Sequence, residues 1–208
     1  MLPLDIPAGT TVESLVRTVV PELHGRLVPR DVPTDPMAVS VRIDGTGDYT
    51  ATIRGAEMRV ESGHAERPSL WFFTTTGAVE RFLEDAAGPR RFLPYTPADG
   101  STLVFLSDPR IVKRAALASG RLELALRDDD GERIAVVLGF GHAARRRIDP
   151  DEPDASVEVD AATLARILGG TLSPEAALTE GAVKVRGSRM LAMQLALAVA
   201  PFYPQTRG

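Results

Sequence analysis

Residues 154–203 read DASVEVDAATLARILGGTLSPEAALTEGAVKVRGSRMLAMQLALAVAPFY. Val157 and Val159 alternate with polar residues, which predicts a strand with one dry face and one wet face. Asp160 is a helix-capping residue directly before an apolar pattern of helical period. Ser173, followed by proline, begins a second short helix, and a strand and a long apolar helix complete the stretch. The sequence therefore predicts the order strand, helix, helix, strand, helix.

The last helix of this stretch is apolar nearly all round. Met190, Leu191, Met193, Leu195 and Leu197 are interspersed with alanines. A helix with this pattern is expected to be buried. The small alanines leave space beside it, and methionine side chains adapt to irregular shapes. We therefore predict an apolar cavity between this helix and the sheet.

The whole combination resembles the end of the sterol carrier protein 2 domain. That family shows an alternating strand, a short helix ending in glycine, a Ser/Asn-Pro-x-x-Ala motif, a glycine, a Lys-x-x-Gly strand and an apolar final helix. The matching positions here are Val157, Val159, Leu164 to Gly169, Ser173, Pro174, Ala177, Gly181, Lys184, Gly187 and the helix Met190 to Leu197. The resemblance implies an α+β fold with a mainly antiparallel, curved sheet and helices packed on one face.

The resemblance also implies a function. Family members hold a sterol, fatty acid, fatty acyl-CoA or phospholipid in an apolar tunnel between sheet and helices, without catalytic residues. We therefore predict a non-enzymatic protein that binds and carries a lipid or another apolar small molecule. The predicted ligand-binding residues are Leu164, Ile167, Leu168, Leu172, Ala177, Leu178, Met190, Met193, Leu197 and Phe202.

The order of elements recurs in the first half of the chain. Val79 and Phe82 match Leu164 and Ile167 at a constant separation, with little identity between the matched segments. We therefore predict a tandem duplication, with a diverged sterol-carrier-like repeat over 1–119 and the lipid-binding repeat over 120–208. The alternative is one unrelated α+β domain in front of a second.

Local patterns add detail to this arrangement. A helix is predicted from Thr11 to Leu27, capped by Thr10 and kinked or divided at Pro21. Three alternating strands follow it, and a fourth, Leu70–Phe73, is apolar on both faces and so is expected to be covered on both sides. A loop is predicted over 88–100, and further strands are predicted over 103–106 and over Ala144–Ile148.

Composition argues against several classes of function. The chain has 208 residues and no cysteine, which excludes disulfides, thiol nucleophiles and thiolate zinc sites. Its formal net charge of −4 argues against general nucleic-acid binding. No apolar run reaches the ~18 residues of a membrane span, so we expect no stable membrane insertion, although transient membrane contact is compatible with the pattern. No secretory signal is recognised, and the default expectation is cytoplasmic.

Motifs for metals, cofactors or catalysis are not found in the sequence. His24, His64 and His142 lie far apart without partners at ligand spacing. The acidic segment 149–154 lacks the glycine of calcium loops. Residues 145–147 are expected to be a solvated arginine edge, with contact to anionic head groups or to a carboxylate as the alternative. No nucleophile elbow, phosphate loop or dinucleotide fingerprint occurs, so we expect no cofactor and no catalytic residue. The competing hypotheses are a structural or protein-interaction module with a collapsed tunnel, and an accessory domain of a separately encoded enzyme.

Overall fold

The computed structural model describes residues 6–7, 9–87, 107–127, 130–145, 152–168 and 171–199. The strands are β1 (Met37–Asp44), β2 (Gly47–Arg54), β3 (Glu57–Ser62), β4 (Leu70–Thr75), β5 (Gly120–Arg127), β6 (Arg133–Phe140), β7 (Ala155–Asp160) and β8 (Val183–Gly187). The helices are α1 (the consecutive segments Val12–Ser14, Leu15–Val19 and Val20–Leu27), α2 (Thr76–Ala87), α3 (Pro109–Ala115), α4 (Ala161–Leu168), α5 (Pro174–Thr179) and α6 (Arg189–Val199).

The eight strands of the described residues belong to one sheet, in the order β3-β2-β1-β4-β6-β5-β7-β8. The pairs β1–β4 and β5–β7 are parallel, and the other five pairs are antiparallel. The predicted α+β class, with a mainly antiparallel sheet, is confirmed.

The helices pack on one face of the sheet, which we call the inner face. Alternate strand residues point toward it, as the period-two patterns predict. Val112 and Ala115 of α3 and Leu191 and Leu195 of α6 join this core. The other buried members of the same cluster are Val39, Ala51, Ile53, Leu70, Ala118, Leu122, Leu138, Phe140 and Ala155. Each large apolar side chain buried here contributes about 1.5–3 kcal/mol.

The opposite, outer face of the sheet is covered over β4. Trp71 is only 3% exposed and packs with Val137 and Ala144. The ring of His64 stacks on Trp71 with 5.9 Å between ring centroids. Leu70, on the other face of the same strand, is also buried. The prediction that this strand is covered on both sides is confirmed.

The same strand joins the two halves of the chain. β4 pairs antiparallel with β6, with Trp71 opposite Gly139 and Leu70 opposite Phe140. The sheet is therefore continuous from the first half into the second. The proposed boundary between 119 and 120, and the duplication itself, remain predictions.

Helix α1 follows the predicted limits with a local change of winding. Its middle segment, Leu15–Val19, is π-helical, and the Val20 amide donates to the carbonyl of Leu15, five residues earlier. Pro21 has no amide hydrogen, so the wider turn comes directly before the residue that breaks the regular ladder. The capping side chain is Thr11, which accepts from the Ser14 amide, so the prediction of Thr10 was wrong by one residue.

The strand predicted over Ala144–Ile148 is wrong at its start. The chain turns at Gly141, where φ is +59°, and continues as a 3-10 helix over Ala143–Arg145. Strand β6 lies between β5 and β4 in the sheet, so a third strand of the second half has no edge of β6 to pair with. Residues 146–148 of that prediction lie outside the described residues, as do the loop predicted over 88–100 and the strand predicted over 103–106.

Candidate functional site

Helices α4 and α5 form a small apolar wall over the inner face. Ile167, Leu172 and Ala177 are buried against one another, with exposed fractions of 9%, 6% and 0%. Side-chain caps place the two helices: Asp160 accepts from the Thr163 amide at 2.7 Å, and Ser173 accepts from the Ala176 amide at 3.1 Å. Both caps were predicted from the sequence.

Helix α6 is buried on one side only. Leu191 and Leu195 contact the core, whereas Met190, Met193 and Leu197 are 68%, 55% and 62% exposed. The expectation that this helix is buried all round is therefore wrong. A helix that is apolar on every side carries no periodic signal, so packing alone decides which side meets the sheet.

The structure thus brings together only part of the predicted ligand-binding set. Ile167, Leu172 and Ala177 share one cluster, with Leu164 half-buried in the same helix as Ile167. Leu178, at 36% exposure, lies near the end of α5. The three α6 residues stay outside that cluster, and the side chain of Leu168 and all of Phe202 lie outside the described residues.

The exposed side of α6 forms an apolar stripe, which we define as Met190, Met193 and Leu197. Positions three and four residues apart lie on one side of a helix, so these side chains are neighbours. Three large apolar side chains exposed together are typical of a surface that meets an apolar ligand or partner. The alanines and leucines on the other side of the helix fix it to the sheet.

A second candidate site lies on the outer face, across strands β5 to β8. We call it the charged pocket, and it has a volume of about 490 Å³. Its lining residues are Glu123, Arg127, Arg133, Ser156, Glu158, Lys184 and Arg186. They all occupy the wet positions of strands whose other positions face the core, and the strand pairings bring them together.

Two carboxylates anchor the charged pocket. Glu123 accepts from Arg133 at 2.6 Å and from the Ser156 hydroxyl at 2.7 Å. Arg127 donates to Glu158 at 3.2 Å. Lys184 Nζ lies 3.9 Å from the same carboxylate, which is beyond hydrogen-bond distance.

These contacts keep both carboxylates charged. Burial raises the pKa of Glu123, but hydrogen bonds from Arg133 and Ser156 outweigh it, and the net pKa lies below the ordinary 4.5. The hydrogen bond from Arg127 has the largest influence on the pKa of Glu158 and, with the nearby charges, also holds it below the ordinary value. The charged pocket therefore holds four cations and two carboxylates near neutral pH.

Sequence reasoning missed the charged pocket. Each of its residues is an unremarkable polar position of an alternating strand, and they come from four strands separated by loops and helices. The sequence does indicate which positions of each strand face solvent. Only the strand order shows that these positions lie side by side.

Within the described residues, no group of three or more potential ligands is placed to hold a metal ion. His24 is fully buried between the Ser107 hydroxyl and the Gly55 carbonyl, each at 3.0 Å. A carbonyl only accepts, so Nε2 carries the proton and Nδ1 accepts from Ser107. His24 therefore joins α1 to the β2–β3 turn. No described helix is long and apolar enough to cross a membrane.

The segment that carries the apolar wall, the stripe and the charged pocket is also the segment that matches a family model. Residues 106–199 match the SCP-2 sterol transfer family. This confirms the resemblance inferred from residues 154–203 as far as residue 199 and extends it back to α3. The SCP-2 match includes nine of the ten predicted ligand-binding residues, the exception being Phe202. The first 105 residues lie outside it, so the duplication gains no support from this comparison.

Solved sterol carrier proteins are similar to part of the chain. The apo form of sterol carrier protein 2 from Yarrowia lipolytica is 15% identical, with 49% of this chain and 86% of that chain covered and a TM-score of 0.36. The sterol carrier protein domain 2 of Helicoverpa armigera is 18% identical, with 50% and 84% covered and a TM-score of 0.37. Another structure of sterol carrier protein 2 is 28% identical, with 48% and 83% covered and a TM-score of 0.36. The comparison with curated proteins returned no match.

Proposed function

We propose that the second half of this protein binds and carries a lipid, such as a sterol, fatty acid, fatty acyl-CoA or phospholipid, without changing it chemically. The observation that carries the proposal is the SCP-2 match over residues 106–199. Within the described part of the chain, the matched segment also contains the α4–α5 wall and the exposed stripe of α6.

The proposed ligand site lies on the helical side of the sheet. Ile167, Leu172 and Ala177 provide an apolar wall, and Met190, Met193 and Leu197 provide solvent-exposed apolar surface. The remaining predicted residues, Leu164, Leu168, Leu178 and Phe202, stay part of this proposal. An alkyl chain that leaves water for such a surface gains about 0.8 kcal/mol per buried methylene.

Binding in this scheme is passive. A contact of about ten carbons supplies roughly 8 kcal/mol before the costs of ordering the chain and the protein side chains are subtracted. Methionine side chains suit the task because they adapt to ligands of different shape. The proposal therefore requires no catalytic group and no cofactor.

Native mass spectrometry of the purified full chain tests the proposal. We expect a co-purified species of lipid mass that solvent extraction removes. We also expect the extracted protein to bind a fluorescent fatty acid or a fluorescent sterol. A protein that carries no lipid and, when folded, binds neither probe would contradict the proposal and favour an interaction module.

A further inference from the structure

The charged pocket has a surplus of positive charge. Arg133 and Arg127 are paired with Glu123 and Glu158, so each of these ion pairs is neutral. The surplus therefore lies on β8. Arg186 makes no hydrogen bond or ion pair with any other described residue, and Lys184 reaches Glu158 only at 3.9 Å.

The strand geometry directs this surplus into one place. Lys184 and Arg186 are two residues apart on β8, so both point to the outer face. In the register of β7 and β8, Lys184 lies opposite Glu158 and Arg186 lies opposite Ser156. Beside Glu158, on β5, the register places Ala125, which is small and buried. Long charged side chains thus surround a shallow floor.

These features specify the ligand chemistry. The two unbalanced cations match a phosphate group, which carries about −1.5 to −2 charges near neutral pH when it is a monoester. A free guanidinium presents a planar fork that binds two phosphate oxygens, and an ammonium adds a third contact. The pocket volume of about 490 Å³ lies within the range of small-ligand sites.

We propose that the charged pocket binds a phosphate group, held by Lys184 and Arg186 at the edge of the sheet. The phosphate belongs either to a free small molecule or to the head group of a phospholipid. The pocket is on the face opposite the proposed lipid site, so this inference does not depend on lipid carriage and is tested without it.

Titration of the full chain with inorganic phosphate, followed by calorimetry or amide chemical shifts, provides the first test. We expect saturable binding to one site and a loss of at least about tenfold in affinity in the double variant Lys184→Gln/Arg186→Gln. The matched control is Arg54→Gln/Arg59→Gln, which removes the same charge from exposed positions at the other end of the same outer face. It should bind phosphate like the parent.

The thermal unfolding of each variant reports whether it is folded. If the double variant unfolds, Arg186→Gln alone is used, since Arg186 is exposed on an edge strand and has no described partner to lose. We expect the single variant to weaken binding in the same direction. Equal weakening by the control pair would contradict a specific pocket.

Vesicles distinguish the two sources of the phosphate. Phosphatidylcholine vesicles with and without phosphatidate are tested for binding of the parent and of both double variants. Phosphatidate-dependent binding that requires Lys184 and Arg186 assigns the site to a head group. Binding of inorganic phosphate without vesicle binding assigns it to a free phosphate compound. Failure of both probes to bind the folded parent would overturn the proposal.

Discussion

The two halves of the sheet use the same strand arrangement and complete it differently. In the first half, β1 forms a hairpin with β2 and a parallel pair with β4. In the second half, β5 forms a hairpin with β6 and a parallel pair with β7. The first half then adds β3 beside its hairpin, whereas the second adds β8 beside its parallel strand. Within the described residues, each half lacks the strand that the other possesses.

The missing strands explain how the halves join. In the first half, β3 lies beside the hairpin strand β2, and the equivalent position in the second half, beside β6, is occupied by β4. In the second half, β8 lies beside the parallel strand β7, and the equivalent position in the first half, beside β4, is occupied by β6. An unpaired strand edge favours aggregation, and this mutual pairing removes two such edges. The comparison shows why β4 is apolar on both faces: it is a central strand of the combined sheet.

The largest expected effect comes from breaking this junction with Trp71→Ala. Truncating a large buried aromatic side chain costs about 3–5 kcal/mol of unfolding free energy. Urea denaturation measures the loss, and His64→Ala serves as a control because His64 is exposed: it stacks on the outside of Trp71 and contacts the Asp48 carboxylate at 2.9 Å, but it is not part of the buried junction. We expect one cooperative transition in both variants. Two separate transitions, with only one shifted by Trp71→Ala, would contradict a jointly folded sheet.

The two halves also differ in how closely other backbone atoms approach their glycines. In the second half, a side chain at Gly187 would lie 2.4 Å from the Asp154 carbonyl oxygen, and one at Gly141 would lie 2.4 Å from that of Ala118. None of the described glycines of the first half makes an approach below 3.0 Å. The second half thus passes its chain close to the segments that lead into β7 and β5.

Gly187→Ala is expected to cost about 3 kcal/mol, because both the positive φ of 73° and the close carbonyl oppose a side chain. Gly181→Ala is the matched control: its φ is 72°, but nothing lies within 4 Å of the added carbon. We expect it to cost about 1 kcal/mol. Equal losses in the two variants, measured by chemical denaturation, would show that the close approach has no energetic weight.

Acid should destabilise the protein in two steps, through groups that lie in different halves. Burial lowers the pKa of His24 below its ordinary 6.5, despite the opposing effects of Gly55 and Asp108. Below pH 6.5 the unfolded chain therefore binds more protons than the folded chain, and stability falls as the pH falls, by at most about 1.4 kcal/mol per pH unit. Glu123 and Glu158, with lowered pKa values, respond only below pH 4.5.

His24→Gln tests this assignment because glutamine can donate to Gly55 and accept from Ser107 without titrating. We expect the variant to lose the pH dependence between about pH 6.5 and pH 5 and to keep the response below pH 4.5. Denaturation curves over this range provide the measurement. A parent protein whose stability is constant between about pH 5 and 6.5 would contradict the role of His24.

Local patterns predicted most elements of the fold. Alternation identified strands such as β1 and β7, and single capping residues such as Asp160 and Ser173 identified helix starts, because these signals depend on neighbours in sequence. The junction between β4 and β6 could not be predicted in this way. It depends on which strand occupies a free edge, which is a property of the complete sheet.

The candidate sites were predicted less well for the same reason. The wall of Ile167, Leu172 and Ala177 follows from helical periodicity and a glycine-containing connection. The side of α6 that faces the sheet does not follow from its sequence, since Met193 and Leu195 are equally apolar yet one is exposed and the other buried. The charged pocket required the register of four strands.

The central claim is that lipid binding belongs to the second half, and Met193→Trp tests it most directly. Met193 is 55% exposed, so the larger ring should change the unfolding free energy by less than about 0.5 kcal/mol. Thr18→Trp adds the same ring to an exposed position of α1 in the first half. In a fluorescent fatty-acid titration, we predict that Met193→Trp abolishes binding while Thr18→Trp binds like the parent. A folded Met193→Trp variant that binds the fatty acid as tightly as the parent would contradict the claim.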